Sequence, residues 1–397
     1  SRSMIRNSIL QACRRGDSII INDCKSELYE SMSQFLRDRN YVVKVFNLIH
    51  PECSDSWNCI REIKDELMAQ TFADVVLKST SGEITDAFWF NAELNLLKAL
   101  VLYVAFELPE KQRTFGKVYD MIVNENERSL NKIMSSIRHE HVNPLTGEIM
   151  PPSPAFAPFA IFMQSSETVR TSVIIGLGSK LQVLQSHMIK EITNYTDIDL
   201  ELPGKQKCAY FCIISDQDST FEFLSSLFYS FLFIRLVRYA DNYAEGKRLK
   251  PQVEFILDEF PNSCVIPDMQ KKINTTRSRG LRISIYFQNL GQMKNRYPDD
   301  QWQEIIGNCD TQFFLGCMDE MTAEFISNRT GEVSVAVSSQ AKQLNTWRVS
   351  DYTPEYRETH SIGKRKLMTP QSRKIRSGMS RRIWRRCFHR RKAALSL

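Results

Sequence analysis

The chain has 397 residues, 42% hydrophobic and 25% charged, with 52 Lys and Arg against 46 Asp and Glu, a formal net charge of +6. That balance excludes a disordered or fibrous chain and suffices for a large core in about two or three domains. Ten cysteines without a repeated C-x-x-C pair read as thiols of a reducing compartment, and no uninterrupted apolar span of about 18 residues marks a membrane crossing.

Met4, Ile5, Ile9, Leu10 and Ala12 recur at helical spacing over residues 1–15, with Gly16 as the stop. Residues 18–21 follow as a strand ending at Asn22 and Asp23. An amphipathic helix over 28–37, a strand over 41–47 and a helix over 62–80 come next. After a break at 81–85 the periodicity becomes wholly helical, over 88–108, 114–124, 127–138 and 165–192, with the Pro-rich interval 144–158 as a loop. Asn91, Glu93, Asn95 and Lys98 make 88–108 a buried helix. A helical block set inside an α/β chain predicts an inserted domain. Strand character returns over 205–215, followed by a long apolar helix over 219–239 whose aromatics read as core. His139-Glu140-His141 and the Cys208/Cys212 pair have ligand-like spacing, but read more simply as a polar helix end and a strand.

Val253, Phe255, Ile256 and Leu257 then form a short run that is apolar on nearly every residue, and Asp258 and Glu259 follow directly. Such a run predicts a strand buried on both faces of a parallel sheet. Carboxylates at its end emerge at the rim where open α/β sheets bind ligands. An acid in that place holds Mg²⁺ through water, and a neighbouring Glu polarises an attacking water, the arrangement called Walker B. Arg277, Ser278, Arg279 and Gly280 come after a helix-length segment, and 281–287 form a second apolar strand ending in Gln288, an amide placed to sense a γ-phosphate. Arginines between the strands suit phosphate charge. Residues 292–302 read as helix or loop, 311–316 as a strand, 320–330 as a helix and 332–337 as a final short strand.

The blocks F-I-L-D-E-F-P, I-P-D, T-R-S-R-G-L-R, I-Y-F-Q-N-L-G-Q and I-I-G-N-C-D-T with F-F-L-G occur in this order. With S-I-I-I-N-D-C-K-S-E-L-Y-E near the start, the chain resembles the coupling proteins of type IV secretion, the TraG/TraD-type ring ATPases, from Ser1 to about Pro370. The resemblance implies a RecA-like P-loop NTPase core of α/β class, over 1–82 and 196–370, with an inserted all-helical domain over 83–195. It implies ATP and Mg²⁺ as cofactors, with Asp258 on the metal, Glu259 and Gln288 at the reacting water and γ-phosphate, and Arg277 or Arg279 as a finger reaching a neighbouring subunit. The partners implied are single-stranded DNA, a relaxase and the type IV secretion channel, in a homo-hexamer at the cytoplasmic face of the bacterial inner membrane.

The glycine loop G-x-x-x-x-G-K-[ST] does not occur in the sequence. In the family its Lys-Ser/Thr precedes a helix such as the first one here, which makes Ser1 or Ser3 the expected hydroxyl ligand of Mg²⁺. Without that loop the phosphates lose their main cradle, so weak ATP binding is expected and a noncatalytic assembly module is the rival reading. A DNA-packaging or partition translocase shares the motor core, but lacks the large helical insertion. Asp23-Cys24-Lys25-Ser26-Glu27 departs from the family's Asp-Pro-Lys-Gly-Glu at Cys24 and Ser26, and keeps Asp23, Lys25 and Glu27 as nucleotide-proximal candidates. A requirement for positive φ at Ser26 would be strained. Residues 371–397 carry ten Lys or Arg and no acid. They read either as a phosphate-binding block or as an out-of-frame end of accidental composition, and the abrupt stop of the family pattern favours the second.

Overall fold

A computed structural model describes residues 2–81, 86–142, 147–215, 219–343 and 355–369. They fall into two compact units, Ser1–Phe287 with Arg296–Asn308, and Gln288–Asn295 with Cys309–Leu397.

The first unit is built on five strands: β1 (Ser18–Asp23), β2 (Val42–Asn47), β3 (Cys208–Ile213), β4 (Val253–Leu257) and β5 (Leu281–Ile285). All pair in parallel, in the order β2-β3-β1-β4-β5. Every residue of β1, β3 and β4 is buried, because helices cover both faces. On one face α1 (Arg2–Arg15) and α2 (Glu27–Arg37) set Ile5, Ile9, Ala12, Leu28 and Leu36 against Ile19, Ile21, Phe211 and Ile256. Next to Ile256, Phe255 points the other way and stacks on Phe233 of the long helix Glu222–Tyr243, ring centroids 4.2 Å apart. Gly16 ends α1 at φ +76, where its N–H reaches Cys13 O and that of Asp17 reaches Ala12 O.

Between β2 and β3 the chain is helical: α3 (Glu66–Thr80), α4 (Ala87–Phe106), α5 (Phe115–Asn124), α6 (Glu127–Ser136), α7 (Phe156–Met163), α8 (Glu167–Lys180) and α9 (His187–Asn194). Asp65, Asp86, Thr114 and Asn126 cap α3 to α6, each accepting a backbone N–H with its side chain. After β3 come α10 (Glu222–Tyr243), which packs on α3, and, after β4, α11 (Met269–Thr276). By length and composition α4 and α10 are apolar enough to cross a membrane, yet 50% and 72% of their apolar windows are buried against protein. That is the behaviour of core helices.

Three expectations need correction. The helix over 165–192 is broken: α8 stops at Lys180, a 3₁₀ turn covers Gln182–Gln185, and α9 starts at His187. The Pro-rich interval 144–158 holds the second strand of a small antiparallel pair, Ile149–Met150 with His141–Val142, and gives way to α7 at Phe156; His141 is occupied by Glu107 at 2.9 Å. In the second unit, 311–316 joins no sheet among the described residues, and Phe313 and Leu315 are 68% and 67% exposed.

That unit also contains α12 (Glu320–Arg329), capped by Asp319, and a long antiparallel ribbon. The ribbon pairs β6 (Glu332–Gln343) with β7 (Glu355–Lys366), from Glu332↔Lys366 to Gln343↔Glu355, so the short strand expected at 332–337 runs twice as far.

Candidate active site

Register brings the key acids together. β1 pairs with β4 from Ser18↔Val253 to Asn22↔Leu257, so Asp23 and Asp258 are the next residues out at the carboxyl edge of adjacent strands. The Asn22 amide nitrogen donates to Asp258 O at 2.6 Å and fastens the two tips.

Beyond Asp258 the backbone turns sharply. Glu259 sits at φ 46, ψ 41, in the left-handed region that costs a residue with a Cβ about 1–2 kcal/mol. The turn is pinned from both sides: Asp258 Oδ1 accepts the Glu259 N–H at 3.0 Å, Phe260 N–H meets Tyr286 O at 2.9 Å, and Tyr286 N–H meets Leu257 O at 2.9 Å. Phe260 stacks on Tyr297 with centroids 5.1 Å apart.

A cleft of about 40 Å³ lies at this edge, lined by Arg6, Asp23, Cys24, Lys25, Glu27, Leu28, Asp258 and Glu259. Four carboxylates against two cations leave two negative charges in excess, the charge that one divalent ion would balance. Burial pushes the Asp258 carboxyl up to about 6, against the opposing Glu259 N–H bond, and the charges of Glu259 and Asp23 push the same way. A space of this size suits an ion or one phosphate oxygen; whole-ligand pockets are about 300–1,000 Å³.

The Asp23 carboxylate is buried and already engaged. Its Oδ2 accepts the N–H groups of Leu28 at 2.9 Å and Tyr29 at 2.8 Å, and its Oδ1 that of Lys25 at 3.3 Å. It thus caps α2 and shapes the turn, while burial still raises its pKa. Ser26 takes φ 59, ψ 0, so the left-handed conformation that glycine favours is adopted here by a serine. Lys25 and Glu27 line the cleft as expected.

Arg277 and Arg279 lie elsewhere. Val253↔Leu281 places the turn before β5 at the amino edge, about 16 Å of strand away from Asp258 at roughly 3.3 Å per residue. Arg279 donates from Nε and Nη2 to the two oxygens of Asp241, at 2.8 and 2.9 Å, and from Nη1 to Thr275 O at 2.7 Å. The Arg279 hydrogen bonds hold the Asp241 carboxyl below its usual range. Arg279 therefore locks α11 to α10 within its own chain, and Arg277 is the more exposed of the two. Gln288 belongs to the second unit. Ser1 and the side chain of Ser3 lie outside the described residues.

Sequence reasoning missed Arg6. It follows the buried Ile5 on α1, and the signal available was a cation flanking the apolar stripe that docks α1 on the sheet.

The family described as Type IV secretory system Conjugative DNA transfer matches residues 9–374. The chain belongs to this family. It is 25% identical to the protein VirD4 of Rhizobium radiobacter over 328 residues, 81% of this chain and 45% of that one, and 24% identical to VirD4 of Agrobacterium fabrum, covering 81% and 47%. The chain thus spans about half the length of these curated relatives. Among solved structures, the bacterial conjugative coupling protein TrwB in its deltaN70 form, in complex with sulphate, superposes with a TM-score of 0.65 at 15% identity, covering 92% of this chain and 74% of that one. TrwB with ADP and Mg²⁺ gives 0.58 at 13% identity, over 92% and 81%. The fold is therefore the RecA-like α/β fold, with the carboxyl-edge cleft where such folds place their ligand.

Proposed function

We propose that this chain is the motor portion of a coupling ATPase, which binds Mg²⁺ and ATP at the carboxyl edge of its sheet. It would drive single-stranded DNA with its attached relaxase into the type IV secretion channel. The supporting observation is the pairing of Asp258 and Glu259 at the tip of β4, beside the Asp23 turn, in a cleft with two negative charges in excess. TrwB, which shares the fold, has been solved with an ATP analogue and with ADP and Mg²⁺.

Asp258 would hold the metal through water, since its desolvated carboxyl gains most from a nearby cation. Bound Mg²⁺ supplies neutralising charge to phosphate oxygens. Glu259, which lines the same cleft from a left-handed backbone, would polarise the attacking water and take its proton. Lys25 and Glu27 flank the same space, Ser1 or Ser3 at the start of α1 would complete the metal shell, and Gln288 would sense the γ-phosphate. Because Arg277 leaves the opposite edge of the sheet, it serves as a finger on a neighbour's site in a homo-hexamer rather than on its own. Core segments 1–82 and 196–370 would carry the chemistry. The helical insert 83–195 would meet DNA or substrate proteins, at the cytoplasmic face of the bacterial inner membrane.

The test is calorimetric titration of ATP with and without Mg²⁺, on the chain with a G-x-x-x-x-G-K segment joined ahead of Ser1. Magnesium-dependent binding that Asp258→Asn abolishes is the expected result. Binding indifferent to both magnesium and Asp258 would remove the reading.

A further inference from the structure

Tyr286 follows β5 and uses both of its backbone groups on the corner that carries Glu259. Its N–H donates to Leu257 O and its C=O accepts the Phe260 N–H, both at 2.9 Å. Its side chain leads elsewhere. The hydroxyl meets Ser8 Oγ of α1 at 2.8 Å, across 278 positions of the chain, and the ring packs against the core cluster that holds Ile5 and Ile9 of the same helix.

Ser8 is not engaged as hydroxyls in the other helices are. Ser31, Thr71, Ser172 and Thr193 turn back to the carbonyl four residues earlier, at 2.6, 2.9, 2.9 and 2.7 Å, whereas Ser8 reaches across to Tyr286. Among the described residues, the other side-chain bonds of α1 leave from Arg15 at its far end. Burial raises the Tyr286 pKa against the Ser8 bond, and the charges of Glu254 and Asp258 add to the rise, so the phenol stays protonated and able to donate.

The pair matters because of what lies at its two ends. α1 starts at Arg2, so Ser8 stands about 9 Å along the same rigid helix at roughly 1.5 Å per residue. On the nucleotide reading the start of α1 holds the metal and the phosphates, whereas Glu259 meets the water from the end of β4. The two must agree closely, since a misplacement of about 1 Å can cost about 10²-fold in rate. Strand pairing fixes β4 only to β1 and β5; the hydroxyl pair ties its corner to the helix.

We propose that Ser8 and Tyr286 couple α1 to the Glu259 corner, so that a shift of the helix is passed to the residue that polarises the water. Both are positioning residues, since neither lines the cleft. The consequence for turnover rests on the nucleotide reading; the coupling itself rests on the hydrogen bonds alone.

The experiment compares Tyr286→Phe, Ser8→Ala and the double variant with the wild type on the loop-bearing chain, reading Phe260 amide hydrogen exchange, kcat and ATP affinity. Each single change removes one oxygen and keeps both backbone bonds of Tyr286. Phe260 exchange should quicken about threefold to tenfold in either single variant and no further in the double, because the two hydroxyls act as one link. The kcat should fall by a similar factor, with ATP affinity within about twofold. Unchanged exchange in either single variant would overturn the coupling, as would factors that multiply in the double. Coupled exchange in a chain whose wild type turns over no ATP would uphold the link and count against the nucleotide reading.

Discussion

Asp23 and Asp258 stand level at the carboxyl edge of adjacent parallel strands, one residue beyond the Asn22↔Leu257 pair. The first carboxylate is tied to three backbone N–H groups that start a helix. The second meets the N–H of its own neighbour and faces the cleft. Position in the sheet makes them look alike; hydrogen bonding separates an acid engaged by the backbone from one that faces the cleft.

The Asp258 carboxyl titrates near 6 in the folded chain against an ordinary value of 3.8. Between those values the folded state keeps a proton that the unfolded chain releases, so stability falls as pH rises through this window and the penalty is complete above it. Asp258→Asn removes the penalty. It should stabilise the chain by about 1–2 kcal/mol at about pH 7.5, with the gain shrinking toward about pH 4.5, as read by urea unfolding. A gain independent of pH would detach the effect from this carboxyl.

Asp23→Ala should cost about 1–2 kcal/mol, because three backbone donors at the start of α2 lose their acceptor. Asp23→Asn keeps one acceptor oxygen and should recover part of the loss. Equal stability of all three forms in denaturant titration would contradict the capping role.

Ser26 and Glu259 both hold positive φ, at 59 and 46. Glycine at either position should therefore gain about 0.5–1 kcal/mol. The two differ in function: Ser26→Gly should leave turnover intact, whereas Glu259→Gly should raise the unfolding midpoint and abolish turnover. Loss of stability in Glu259→Gly would mean that the glutamate side chain, rather than the turn, holds this corner.

A double-mutant cycle on Arg279 and Asp241 should return about 0.5–1 kcal/mol of coupling, modest because the side chains are 27% and 33% exposed. Arg277→Ala tests the finger role directly. Mixed with wild-type subunits it should depress turnover at the neighbouring site, and Arg279→Ala should do so only as far as it unfolds. Indifference of mixed assemblies to Arg277→Ala would end its role as a finger.

The sheet was legible because burial on both faces writes itself as runs that are apolar at nearly every residue, such as Val253 to Leu257 with Glu254 as the exception, and because Asp258 and Glu259 break that run abruptly. What stayed hidden depends on distant partners. Phe313 and Leu315 alternate like a strand, but among the described residues no strand pairs with them. The ribbon runs on from Val337 to Gln343 only because Glu355–Lys366 pairs with it. Asp23 could be read as a site residue, but its capping role needed the turn geometry at Ser26, and the intrachain lock of Arg279 needed Asp241, 38 positions earlier.

The most direct test of a hydrolytic site at the tip of β4 is ATP turnover and ATP binding by Glu259→Gln, measured together on the loop-bearing chain. Turnover should fall by about 10²–10³-fold while affinity stays within about threefold, since the amide keeps the side chain's shape and loses its basicity. Turnover at the wild-type rate would contradict the assignment of Glu259, and with it the hydrolytic reading of the cleft.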